Sequence, residues 1–144
     1  MSKIGEAEDI VWGPLFGAWL TALVATLGAL FIGEVMGQAP CDLCWYQRAF
    51  MFPLVVVFGV AAFTSDKGGW LYGLPLAICG WLIALFHNLT YWGILPTAIK
   101  PCGDGPSCSG EGMMLGNLPL PVLSLLAFTL IIALLLAVRR RINS

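Results

Sequence analysis

Charge is scarce in this sequence. Of 144 residues only 10% are Asp, Glu, Lys or Arg, and histidine occurs once. Soluble domains carry roughly a quarter of their residues charged, so this composition excludes an ordinary water-soluble fold. A formal net charge of -1 leaves no basic excess to hold a phosphate backbone, which excludes nucleic acid as a partner. A basic stretch ahead of the first apolar run is also missing. Glu6, Glu8 and Asp9 stand there instead, so the run does not read as a cleavable leader and is expected to persist in the mature chain. No internal repeat or second domain is visible.

What the sequence does have is long uncharged runs. Hydrophobic residues make up 59% of it, and the mean hydropathy is +0.89. No charge falls between Asp9 and Glu34, Arg48 and Asp66, Lys67 and Lys100, or Glu111 and Arg139. Each window is long enough for a span, since a helix needs roughly 20 residues, with about 17 as the lower limit, to cross the hydrocarbon core. The expectation is a single all-α domain over 1–144, a four-helix transmembrane bundle with spans near 11–33, 45–63, 70–92 and 119–138. Lys3, Lys67 and Arg139 to Arg141 then share one face, against Arg48 and Lys100 on the other. That imbalance predicts cytoplasmic termini, with loops 34–44 and 93–118 facing outward. The arginine run reads as a lipid-headgroup anchor.

Smaller signals fit a bundle. Trp45, Tyr46, Tyr91 and Trp92 fall at the outer interface, and Trp70 and Tyr72 at the inner one, as an aromatic belt. Gly13 with Gly17, Ala25 with Ala29, and Gly69 with Gly73 set small residues one turn apart, where helices approach closely. Pro14, Pro53 and Pro75 each cost their helix a backbone hydrogen bond.

The five cysteines sort by this topology. Cys41 and Cys44 precede the second span, Cys102 and Cys108 lie in the second outer loop, and Cys79 sits within the third span, where it reads as a small buried apolar side chain. Four thiols on the outer, oxidising side indicate redox chemistry. The two-residue gap from Cys41 to Cys44 permits an exchangeable disulfide, and the helix start favours the Cys44 thiolate. Pro101 to Cys108 is rich in turn formers, so its five intervening residues can fold back to bring the sulfurs together. Met113, Met114 and Leu115 form a short apolar patch suited to resting on the membrane surface.

Arg48 lies one turn, about 5–6 Å, deeper than Cys44 on the same helical face. Two readings stay open for it. It snorkels to a headgroup, or it stabilises the Cys44 thiolate and hydrogen-bonds an acceptor oxygen that becomes anionic on reduction. His87 lies at a similar depth and reads either as an interhelical hydrogen bond or as a second donor to that acceptor.

The run Cys41-Asp42-Leu43-Cys44-Trp45-Tyr46-Gln47-Arg48, with four spans and a second cysteine pair before the last, resembles the DsbB and BdbC family over nearly the whole chain. The resemblance implies a protein-dithiol:quinone oxidoreductase. An extracytoplasmic thioredoxin-fold thiol oxidase, DsbA-like, would attack the Cys102–Cys108 disulfide at Cys102. Electrons would pass to Cys41 and Cys44 and on to a quinone, ubiquinone or menaquinone. Arg48 and His87 match the family's quinone-site positions.

Rival readings remain at the level of sequence. Four cysteines also suit a structural zinc site, although the reading adopted has no metal, and two static disulfides would suit a four-span structural protein. Covalent haem would need histidine where Trp45 stands. A vitamin K epoxide reductase-like protein would carry its quinone-proximal pair late in the chain, whereas here the pair precedes the second span.

Overall fold

A computed structural model describes residues 2–94 and 114–144. In lipid a backbone must satisfy its own polar groups, and this chain does so with helices. Helix α1 spans Ser2–Leu30 and runs on into a π-helical turn at Phe31–Val35; α2 spans Asp42–Phe63, α3 Gly69–Tyr91 and α4 Leu120–Asn143. All four are long and apolar enough to cross a membrane. The shortest, α2 with 22 residues, extends about 33 Å against a core about 30 Å thick. The three prolines lie inside α1, α2 and α3. The four-helix membrane bundle read from the sequence is the fold observed, with α1 and α4 starting and ending several residues beyond the expected spans.

The helices form a ring in chain order: α1 packs on α2 and α4, and α3 packs on the same two. A stripe of small residues on α3 makes the closest approaches. Gly69, Gly73, Ala77, Gly80 and Ala84 are all buried, so that side faces the bundle at helical period. A Cβ on Gly73 would stand 2.1 Å from the Phe58 ring of α2, and one on Gly80 would stand 2.2 Å from the Phe128 ring of α4. Gly69 to Gly73 is therefore a true contact face. Gly13 is not, since a Cβ there would meet nothing within 4 Å.

Cys79 is corrected by the same periodicity. It is exposed, one position ahead of buried Gly80, and so points out of the bundle towards the lipid side. A thiol is apolar enough to face hydrocarbon.

Polar side chains lock the ring. Trp81 Nε1 donates to Thr129 Oγ1 at 2.9 Å, joining α3 to α4. Asn88 Nδ2 donates to the carbonyls of Ala84 and Pro121, each at 2.8 Å, fixing the end of α3 to the start of α4. At the opposite end Arg139 lies over the Trp70 ring at 5.6 Å, and Arg141 donates to the Ile10 carbonyl. The basic run thus ties α4 back to α3 and α1 as well as facing the interface. Before α4, strands β1 (Met114–Leu115) and β2 (Leu118–Pro119) form a minimal antiparallel hairpin, its turn made by Gly116 at φ +62°.

Candidate functional site

Cys41 is the N-cap of α2, with an extended backbone at φ -75° and ψ 172°. Its carbonyl accepts the first helical bond from the Trp45 N–H at 3.1 Å. The side chain is fully buried with Leu43 against Ile83, Phe86 and Tyr91. One turn on, Cys44 brings its Sγ to 3.4 Å from Cys41 Sγ; both are thiols, in hydrogen-bond contact.

His87, fully buried on α3, faces this pair. Its Nδ1 lies 2.9 Å from Gln47 Nε2, and its Nε2 lies 3.8 Å from Cys41 Sγ. With the Gln47 amide donating to Nδ1, the imidazole proton sits on Nε2 and points at Cys41. The interhelical role expected of His87 is present, and its partners are Gln47 and Cys41.

These contacts set where the charge of the reduced pair resides. The Cys41 sulfur is pulled from its ordinary 9.0 to about 4, first by the hydrogen bond from Cys44, against the opposing effect of burial, and then by His87. The proton between the sulfurs can sit on either. The Nε2–H of His87 makes Cys41 the better seat for the anion, so Cys44 donates to it. The sequence favoured a Cys44 thiolate; what it missed is that Cys41 caps the helix and that His87 addresses Cys41. The thiolate absorbance of the reduced protein should therefore persist as pH falls below 9 and disappear only near 4. A single thiol-like midpoint close to 9 would show that the His87 contact does not operate.

Cys44, half-buried, opens onto a cavity of about 590 Å³ between α1, α2 and α4. The walls are mostly apolar, with Val24, Ile32, Met51 and Phe128 among them, and Leu115 of the hairpin also lines it. Leu115 of the expected surface patch thus borders the cavity while remaining exposed; Met113 lies outside the described residues. The polar wall groups include Gln38, Cys44, Gln47, Arg48 and His87. Arg48 turns into the bundle. Its Nη2 donates to the Ala29 carbonyl at 2.8 Å, just before the π-helical turn, and its guanidinium lies 5.2 Å from the Trp45 ring centre. Space for it comes from Gly33, where a Cβ would stand 3.0 Å from Nη2. A π turn beside a functional group is a common association.

The structure thus gathers Cys41, Cys44, Arg48 and His87 around one cavity end, while Cys102 and Cys108 lie outside the described residues. Two participants had been overlooked. Gln47 carries a signal that could have found it, an amide inside a span three residues after Cys44 and so on the same helical side. Gln38 carries none, because it sits in the connection before α2. Its buried Oε1 has no hydrogen-bond partner among the described residues.

Known proteins resemble the chain over most of its length. The family model described as disulfide bond formation protein DsbB matches residues 14–138. A probable disulfide formation protein of Metapseudomonas resinovorans is 55% identical over 138 residues, covering 94% of this chain and 96% of its own. One from Deinococcus radiodurans is 44% identical, covering 90% of each. Disulfide bond formation protein C of Bacillus subtilis is 43% identical, covering 82% of this chain and 86% of its own. No solved structure matches the chain.

Proposed function

The chain belongs to the DsbB family of disulfide bond formation proteins, and from that premise we propose that it is a membrane thiol:quinone oxidoreductase that reoxidises an extracytoplasmic thioredoxin-fold thiol oxidase. One observation carries the reading: a vicinal cysteine pair opens through Cys44 into an apolar cavity whose wall holds a guanidinium. The basic residues at the end shared by the α1 start, the α2–α3 turn and the α4 end favour that end as cytoplasmic. The CxxC end then faces the oxidising side of the inner membrane.

The cavity fits a quinone. Its volume and apolar walls suit a flat ring with a hydrocarbon tail, and the unpartnered Gln38 oxygen is the kind of polar atom a ligand hydroxyl satisfies. Arg48, Gln38 and Cys44 would hold the ring end. Bound there, ubiquinone or menaquinone would supply a two-electron, two-proton acceptor.

The chain's own residues do the rest. A reduced partner thiolate attacks Cys102, breaking the Cys102–Cys108 disulfide and forming a mixed disulfide; the partner's second thiol resolves it, leaving the partner oxidised and Cys102 and Cys108 as thiols. These then exchange with the Cys41–Cys44 disulfide, which becomes the dithiol as they reoxidise. In that dithiol, the Cys41 thiolate accepts a hydrogen bond from Cys44 across the 3.4 Å contact and so holds the Cys44 sulfur towards the cavity. His87, oriented by Gln47, fixes Cys41 in that role. Arg48 offers positive charge where oxygen becomes anionic.

Mixing the purified protein in detergent with reduced partner and quinone tests the class. One quinol formed for each two partner thiols lost is the result expected, and thiol loss without quinol formation would refute it. For Arg48→Ala, loss of a charge-assisted hydrogen bond worth about 1.5–3 kcal/mol should raise the apparent quinone KM or lower the rate by roughly 10- to 100-fold. Unchanged KM and rate would remove Arg48 from the site.

A further inference from the structure

The sulfurs of Cys41 and Cys44 and a ring nitrogen of His87 all lie within 4.8 Å of one another. A tetrahedral zinc ion with Zn–S near 2.3 Å and Zn–N near 2.0–2.1 Å imposes S–S edges of about 3.8 Å and S–N edges of about 3.6 Å. The Sγ–Sγ separation of 3.4 Å and the Cys41 Sγ–His87 Nε2 separation of 3.8 Å match two of those edges to within a few tenths of an ångström, and the third, from Cys44 Sγ to a His87 nitrogen, is within 4.8 Å, a span that a turn of the Cys44 side chain can close. We infer that the reduced Cys41–Cys44 pair and His87 form a redox-gated site for a thiophilic divalent d10 cation, zinc in the first instance, with its fourth position open to the cavity.

Charge favours the divalent ion. Two thiolates neutralise it, so the buried cluster carries no net charge of its own and avoids most of the cost of burying an ion. Binding releases the remaining thiol proton or protons to solvent and moves no electrons. In the disulfide form the sulfurs are bonded to each other and neither is a thiolate, so the oxidised protein has no such site. The second shell is already in place. A ligating imidazole usually donates its other N–H to an acceptor, and a half-turn of the Gln47 amide, which needs no backbone movement, presents Oε1 to Nδ1. Entry is through the cavity, which both Cys44 and His87 line. This differs from a four-cysteine site because the outer-loop pair is not required. It needs only the reduced CxxC pair and His87, whichever partner or acceptor serves that pair.

The test uses full-length protein in detergent, stripped of metal, reduced with a phosphine and titrated with Zn²⁺ against a chromophoric chelator. Co²⁺ serves in parallel as a spectroscopic probe. We expect one zinc bound per reduced chain and none by the oxidised chain, with the intense visible bands of tetrahedral sulfur-ligated cobalt. His87→Ala should weaken binding by more than 10-fold, His87→Cys should restore it by supplying a third thiolate, and Gln47→Ala should weaken it by about 10-fold. Cys102→Ser/Cys108→Ser should leave it intact. Equal binding by oxidised and reduced protein, a folded His87→Ala variant that titrates as wild type, or loss of the site with the outer-loop pair would each overturn the inference. Should His87→Ala not fold, absence of zinc on folded His87→Cys would overturn it equally. None of these readouts depends on quinone turnover, so failure of the electron relay and failure of the metal site remain distinguishable.

Discussion

Serine in place of Cys44 is expected to bring quinone reduction to the uncatalysed background, whatever thiol donor is supplied. The reason is geometric. Cys41 is wholly enclosed by Ile83, Phe86 and Tyr91, whereas Cys44 alone of the pair lines the cavity. Without its sulfur, Cys41 has neither a disulfide partner nor a route to the acceptor. Cys102→Ser should produce the complementary defect: the protein partner stays reduced, while a small dithiol still drives quinone reduction through Cys41 and Cys44. Assaying both variants with both donors separates the two halves of the relay. Normal coupled turnover by either variant with the protein partner would reject the order of electron transfer proposed here.

A large effect on stability is expected at Gly80. An alanine Cβ there would stand 2.2 and 2.3 Å from two atoms of the Phe128 ring, far inside contact distance, and Phe128 is itself fully buried. Either the ring leaves its rotamer or α3 and α4 separate, and overpacking of this kind costs roughly 1–3 kcal/mol. Unfolding of Gly80→Ala in mixed micelles should therefore begin at lower denaturant than wild type. Adding Phe128→Leu should recover part of the loss, because the two changes share one contact and are not additive. An unaltered unfolding midpoint for the single variant would show that the helices are not held at this spacing.

Much of this was legible because the bilayer restricts the alternatives. The four uncharged windows fix four helices, since no other backbone arrangement of this length satisfies its hydrogen bonds in hydrocarbon. The CxxC pair, Arg48 and His87 stood out for a related reason: thiols paired at a span's mouth and ionisable groups within a span have few structural uses. What could not be read was direction around each helix axis. Cys79 lies one residue from Gly80, and only the packed face of α3 shows which of the two turns inward. The same limit hid the Gln47–His87–Cys41 chain, because Gln47 and His87 are 40 residues apart and meet only once α2 and α3 close. The π-helical turn that ends α1, and the Gly33 clearance beside Arg48, have no spacing rule that announces them.

The glycines are distributed unevenly around the ring, and this has a mechanical consequence. On α3 they allow near-touching contact with the flanking helices, whereas Gly13 and Gly28 of α1 have open space beside them, and Gly28 borders the cavity. The cysteine–imidazole cluster lies between α2 and α3, where added side-chain volume at the α3 glycines has no room, whereas the cavity borders a glycine that has room. Added volume at Gly28 should therefore narrow the edge of the cavity while leaving the sulfur spacing unchanged, so admission and chemistry can be tuned by separate substitutions.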